Sequence, residues 1–133
     1  MTDHFSDIDV GETIYGSVIL SFKCQGSITK GDLVKMSTHT SGSIGTVTVV
    51  ATTGDVPIGQ ALKSGSAGDY IPVLVKGVAK LKASGSITLG AMVKTAAPGG
   101  QYVVSTASWA AGFVGKALQS LSDGDTGLFW LDC

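Results

Sequence analysis

A ten-residue phrase occurs twice in this chain. Gly26-Ser27-Ile28-Thr29-Lys30-Gly31-Asp32-Leu33-Val34-Lys35 returns as Gly85-Ser86-Ile87-Thr88-Leu89-Gly90-Ala91-Met92-Val93-Lys94, with seven of ten positions identical. A second phrase follows each copy. Ile58-Gly59-Gln60-Ala61-Leu62-Lys63-Ser64 is echoed by Val114-Gly115-Lys116-Ala117-Leu118-Gln119-Ser120, and Gly68-Asp69 by Gly124-Asp125. The first phrase recurs after 59 residues and the second after 56, so the halves match in order and differ by three residues in the stretch between. The shared residues are mostly Gly, Ser, Val, Ala and Leu, whereas Asp32 faces Ala91 and Gln60 faces Lys116 across the copies. A scaffold duplicated without duplicated chemistry points to a structural or binding module.

The cadence between and within the phrases is that of short strands. Candidate strands fall at Ser17–Lys23, Asp32–Met36, Thr46–Ala51, Pro57–Leu62, Tyr70–Val75, Val78–Lys82, Ala91–Thr95, Tyr102–Thr106, Phe113–Leu118 and Gly127–Leu131, each rich in Val, Ile, Leu, Thr or an aromatic residue. Turn-forming clusters separate them, such as Thr40-Ser41-Gly42-Ser43, Ser64-Gly65-Ser66-Ala67-Gly68 and Pro98-Gly99-Gly100. A strand every ten to fourteen residues predicts an all-β fold, a small barrel or sandwich built from two pseudo-repeats at about 16–76 and 77–133. Each half of about 58 residues makes a marginal core alone, which favours one shared domain over 16–133. Pro72 within a strand predicts an edge or a bulge there, and Gly77 a local bend between the lysines 76, 80 and 82. Ala107–Phe113 has a helix-like spacing of Trp109 and Phe113. Its counterpart Ala51–Pro57 contains Gly and Pro, so a loop entering a strand is expected, with a short helical turn at Trp109 as the alternative.

Residues 1–15 read as an arm. Asp3, Asp7, Asp9 and Glu12 crowd the first twelve residues, no Lys precedes Lys23, and no period is sustained through Phe5, Ile8, Val10, Ile14 and Tyr15. Those five apolar residues are the candidates for contact with a partner or a neighbouring subunit on which the arm orders, with a frayed tail partly packed on its own body as the alternative. The rest of the chain carries nine lysines against six carboxylates, yet the whole has a net charge of −1 and no arginine. That balance argues against a general nucleic-acid binder, which needs a basic face and guanidinium forks for phosphate. Charged residues make up only 14% against 44% hydrophobic, which leaves a weakly solvated surface for partners to cover. The start lacks the basic and apolar regions of a signal peptide, and no apolar run approaches eighteen residues, so synthesis in the cytoplasm without export or membrane insertion is expected.

Chemistry is sparse. His4 lies in the arm and His39 in a Ser/Thr-rich loop, with no ligand spacing around either, and Cys24 and Cys133 show neither metal nor redox spacing. They read as two free thiols, with a bridge between them as the alternative. Ala111–Ala117 has the look of a phosphate loop but fails its spacing, and Gln60 stands at the repeat position of Lys116. The four Gly-Asp pairs at 31–32, 54–55, 68–69 and 124–125 belong to turns, where Asp bonds its own backbone. Phe22, Tyr70, Tyr102, Trp109, Phe113, Phe129 and Trp130 are spread through strands, as core or subunit interface, and adjacent Phe129 and Trp130 must face opposite ways. The expectation is therefore no catalytic residue, no cofactor and no metal.

Three segments together carry a family likeness: Lys30-Gly31-Asp32-Leu33-Val34-Lys35, Pro57-Ile58-Gly59-Gln60-Ala61-Leu62, and Ala67-Gly68-Asp69-Tyr70-Ile71-Pro72-Val73-Leu74-Val75-Lys76-Gly77. Followed by the second copy at Leu89–Lys94 and Phe113–Leu118, they resemble the capsid decoration, or cement, proteins of tailed viruses (bacteriophages) over roughly residues 16 to 132. The resemblance implies a small all-β structural protein on the outside of an icosahedral virion, often a trimer, with the major capsid protein as its partner. A receptor- or carbohydrate-binding knob on a virion or cell surface is the competing expectation. The arm lies outside the matched stretch.

Overall fold

The computed structural model describes residues 17–38, 45–107 and 111–133. These form nine strands: β1 (Val18–Cys24), β2 (Leu33–Thr38), β3 (Thr46–Val49), β4 (Gly59–Ala61), β5 (Tyr70–Ala83), β6 (Met92–Thr95), β7 (Tyr102–Thr106), β8 (Phe113–Ala117) and β9 (Thr126–Asp132). No helix occurs among the described residues. The fold is all-β, as its cadence implies. The expected strands at Tyr70–Val75 and Val78–Lys82, however, are one continuous strand, β5. Gly77 does not break it. With φ at 144° and a buried position opposite Leu131, it bends the strand in a conformation that a side chain resists.

The bend marks where β5 changes neighbours. Its first half pairs with β1 and β4, its second half with β7 and β9. The order β1-β3-β2-β4-β5 closes through β1–β5, and β5-β7-β6-β8-β9 closes through β5–β9. The result is two five-stranded rings sharing one strand, where a single barrel or sandwich was the sequence expectation. A fourteen-residue strand has the length to serve both. Registers in the two rings repeat with the spacing of the phrases. Cys24 pairs with Val47 in parallel, and Ala83 with Val103. Leu33 pairs with Gln60 and Gln60 with Leu74, while Met92 pairs with Lys116 and Lys116 with Trp130. The isolated bridges Ile28–Gly65 and Ile87–Leu121 correspond in the same way.

Pro72 sits in this central strand and at no edge. A strand residue directs its N–H and C=O to the same side, and the Pro72 carbonyl accepts from the Leu62 N–H at 2.9 Å, just beyond the end of β4. The missing N–H thus falls where the ladder has already stopped. A bulge is present, but at Val75: Val18 pairs with Lys76 and Ile19 with Leu74, leaving Val75 unmatched.

One turn recurs before the strands. Asp32, Asp55, Asp69 and Asp125 each donate their N–H to the carbonyl three residues back, at Thr29, Thr52, Ser66 and Ser122. Each carboxylate then accepts the N–H of that same residue, at 2.8 to 3.1 Å. The intervening Gly31, Gly54, Gly68 and Gly124 have φ between 83° and 97°, the third position of a type II turn. At Thr88–Ala91 the backbone bond persists at 2.9 Å, and the side chain that would return it is a methyl group.

Two cores result. Cys24, Ile28, Val34, Val47, Ala61, Ile71 and Val73 fill the first ring. The second cluster holds Ala79, Leu81, Val93, Val103, Val114, Phe129 and Leu131 of the second ring, together with Leu33, Val50 and Leu74 of the first. Alternation explains the mixture: Val34 and Val73 point into their own ring, so neighbouring Leu33 and Leu74 point out of it and into the other ring's core. Between Leu33 and Leu74 lies Gln60, fully buried, whose amide donates to the Gly31 carbonyl at 2.9 Å and to the Lys80 carbonyl at 2.8 Å. The loop after β3 completes the joint. Asp55 accepts from Ala51 N–H (2.8 Å), Thr52 N–H (3.0 Å) and the Lys35 ammonium (3.0 Å), which hold its carboxyl far below the usual carboxylate range. Its carbonyl receives the Thr95 hydroxyl of the second ring at 2.7 Å.

Two outcomes follow from this joint. Gln60→Ala removes the donor to the buried Gly31 carbonyl and to the partly buried Lys80 carbonyl and leaves a cavity, so it lowers unfolding free energy in urea by about 2–4 kcal/mol. Asp55 has a depressed folded pKa, so its stabilisation is present above the unfolded carboxyl value and disappears as pH falls below about 4. The thermal midpoint of Asp55→Asn therefore drops less than that of the parent protein between about pH 5 and pH 2.5.

Candidate partner-binding surfaces

The residues expected to contact a partner, Phe5, Ile8, Val10, Ile14 and Tyr15, lie outside the described residues, as do His4, His39 and Trp109. Among the described residues no group of three or more His, Cys, Asp or Glu side chains is placed to share a metal ion. The Gly-Asp carboxylates are engaged in their own turns. Burial pushes the Asp32 carboxyl up, against the lowering effect of hydrogen bonds from Thr29 and Gln101.

Both cysteines are free thiols, and they belong to different cores. Burial, with Asp132 adding repulsion, pushes the Cys133 thiol up to about 12. Burial and Asp69 raise Cys24 in the same sense. Neither thiol is therefore tuned toward the reactive thiolate at neutral pH. The segment with a phosphate-loop look runs from a turn into β8. Within it Gly115 lies against the Trp130 carbonyl, so close that any side chain would collide with backbone. Gly59 meets the Leu74 carbonyl in the same way, which explains why the second phrase keeps Gly at this place in both copies.

Exposed apolar side chains are the notable surface feature. Val18, Ile19 and Leu20 at the start of β1 are all more than 40% exposed, and so are Met36 and Val56. They stand on the first ring, whose interior-facing Phe22 and Ile58 are only partly buried. On the second ring, Leu118 and Trp130 are 43% and 39% exposed, with the exposed Lys116 paired beside Trp130. Phe129 is fully buried while adjacent Trp130 faces out, as strand alternation requires. Tyr70 and Leu89 stand out individually. Sequence reasoning required one of Phe129 and Trp130 to face outward without saying which, and did not mark Leu20, Met36, Val56 or Leu118 as exposed. A strand pattern alone shows these as inward or alternating apolar positions; their exposure depends on what the other ring covers.

No family model and no curated protein matches the chain. Among solved structures, the fold is similar to that of the N base of the head fiber gp8.5 of bacteriophage phi29, a crystal structure. The two share a TM-score of 0.62 at 18% identity, over 88% of this chain and 95% of that one. At this identity the likeness is one of fold.

Proposed function

We propose that this chain is a structural protein of a tailed-virus particle that decorates the outer surface of the icosahedral capsid and stabilises it. It acts as a trimer, with residues 1–15 contacting the major capsid protein or a neighbouring subunit. The observation that carries the reading is the fold likeness to a head fiber base over nearly the whole chain. Independent support comes from the motif resemblance to capsid decoration proteins, which rests on the phrases at 30–35, 57–62 and 67–77. The surface is compatible as well. Few charges, exposed Val, Leu, Met and Trp, and an acidic arm suit packing against other protein.

The physical task is mechanical. A decorating protein bridges joints between coat subunits and adds contact area that must be lost before the shell opens. A symmetric oligomer engages several equivalent sites at once, so modest individual contacts combine into long occupancy. The two rings supply a body stiff enough to span such joints, because they share a strand and a core.

The test adds purified protein to mature heads lacking it and reads occupancy by cryo-electron microscopy. Ordered density at repeated positions on the outer surface supports the reading; heads that remain bare at saturating protein overturn it. The arm is tested by removing residues 1–15. The shortened protein keeps the thermal midpoint of the full chain, while its affinity for heads falls at least about tenfold, or ~1.4 kcal/mol. Equal decoration by the shortened protein removes the arm from the contact.

A further inference from the structure

The joint between the rings has two sides, and each side has a counterpart that is left uncovered. On the inserting side, Leu33, Gln60 and Leu74 lie in one cross-strand row and are all fully buried against the second ring. The same row in the second ring is Met92, Lys116 and Trp130, joined by the same register. Here Lys116 is exposed, Met92 is only partly buried, and Trp130 is 39% exposed beside Leu118.

The receiving side shows the converse. Ala79, Thr95 and Gly112 of the second ring are buried, Thr95 bonding the Asp55 carbonyl and Gly112 lying against Gly54 and Asp55. At the phrase spacings of 59 and 56 residues, their counterparts in the first ring are Leu20, Met36 and Val56, which are 48%, 43% and 65% exposed. Five of the nine large hydrophobic residues exposed among the described residues, Leu20, Met36, Val56, Leu118 and Trp130, fall on these two surfaces. Among the described residues, nothing seats on the receiving surface of the first ring, and nothing takes up the inserting row of the second.

We propose that copies of this chain join head to tail, the Met92, Lys116 and Trp130 row of one copy seating on Leu20, Met36 and Val56 of the next and so repeating between chains the joint made within each chain. The substitutions between the copies run in the direction such a contact needs. Within a chain the rings are tethered, so association costs little; between chains the contact must offset lost translational and rotational freedom. Trp for Leu, Leu for Ala, Met for Thr and Val for Gly each enlarge the apolar area available for burial. The polar centre is retained. Gln60 donates to the Lys80 carbonyl, whose counterpart is exposed Ser21, and the Lys116 ammonium is a donor of greater reach toward that strand.

A head-to-tail contact is heterologous, so it closes into a ring or continues as a filament. It gives the trimer of the proposed function its interface, and it is measured on isolated protein, so its failure is distinguishable from failure to bind heads. Molecular mass is read by sedimentation for the parent protein, for Trp130→Lys with Leu118→Asp, and for Leu20→Asp with Val56→Asp. All replaced residues are exposed, and thermal melts confirm folding; Lys116→Glu is the milder second probe of the row. The parent protein associates, and each double variant alone is weakened at least about thirtyfold. Mixed in equal amounts, the two double variants form a pair and nothing larger, since each retains one working surface. A parent protein that stays a single chain at about 100 μM, roughly −5 kcal/mol at most, overturns the proposal. It is equally overturned if the Leu20 and Val56 variant associates by itself, which marks a two-fold contact through Trp130. A Leu20 and Val56 variant that changes the melt without changing mass, as when the chain's own arm covers this surface, also overturns it.

Discussion

Every closed ring in this protein depends on the backbone of β5. Its first half completes the hydrogen bonds of one barrel and its second half those of the other, and the bend at Gly77 lets a single strand lie in both. Without it each half is an open set of four strands with unpaired edges, a form that small β proteins avoid. The shared strand also fixes how the cores meet. Leu74 leaves the first ring on the face opposite Val73, so the residue that closes one barrel is inevitably directed toward the core of the other. The joint therefore follows from strand alternation once the strand is shared.

Much of this was legible in the sequence. Strands at Tyr102–Thr106 and Phe113–Ala117 stand out because β-branched and aromatic residues are bounded by Gly, and the turns are legible because Thr or Ser, any residue, Gly and Asp form a closed local hydrogen-bond pattern. What was hidden depends on residues distant in sequence. Gly77 reads as a break between two strands, yet it is held in one strand by Leu131, which lies 54 positions further on. Pro72 reads as the mark of an edge or a bulged strand; the bulge is there, at Val75, and the proline itself tolerates a central place because β4 ends beside it. Exposure was the least accessible property. Leu74 and Trp130 occupy the same place in their rings, and only the presence of the second ring buries one and leaves the other in water.

The functional residues divide in the same way. That the turn carboxylates bond their own backbone could be anticipated from the Gly-Asp pairs. The surfaces that distinguish the two rings could not, since they emerge only when register shows which positions are equivalent. The repeat conserved the groups that make the joint's backbone possible, notably Gly59 and Gly115 against the facing carbonyls, while side chains on either side of the joint diverged. Divergence between copies is thus the more informative signal for contacts, and identity between copies the more informative signal for folding.

Lys76 is paired on one side with Val18 and on the other with Asp132. The first residue of β1 and the last of β9 consequently flank the same point of β5, two strand spacings or about 10 Å apart. The first strand and the last strand thus meet the shared strand at its waist. Peeling either outer strand away therefore bares the same point of the shared strand, so the two rings are mechanically coupled there.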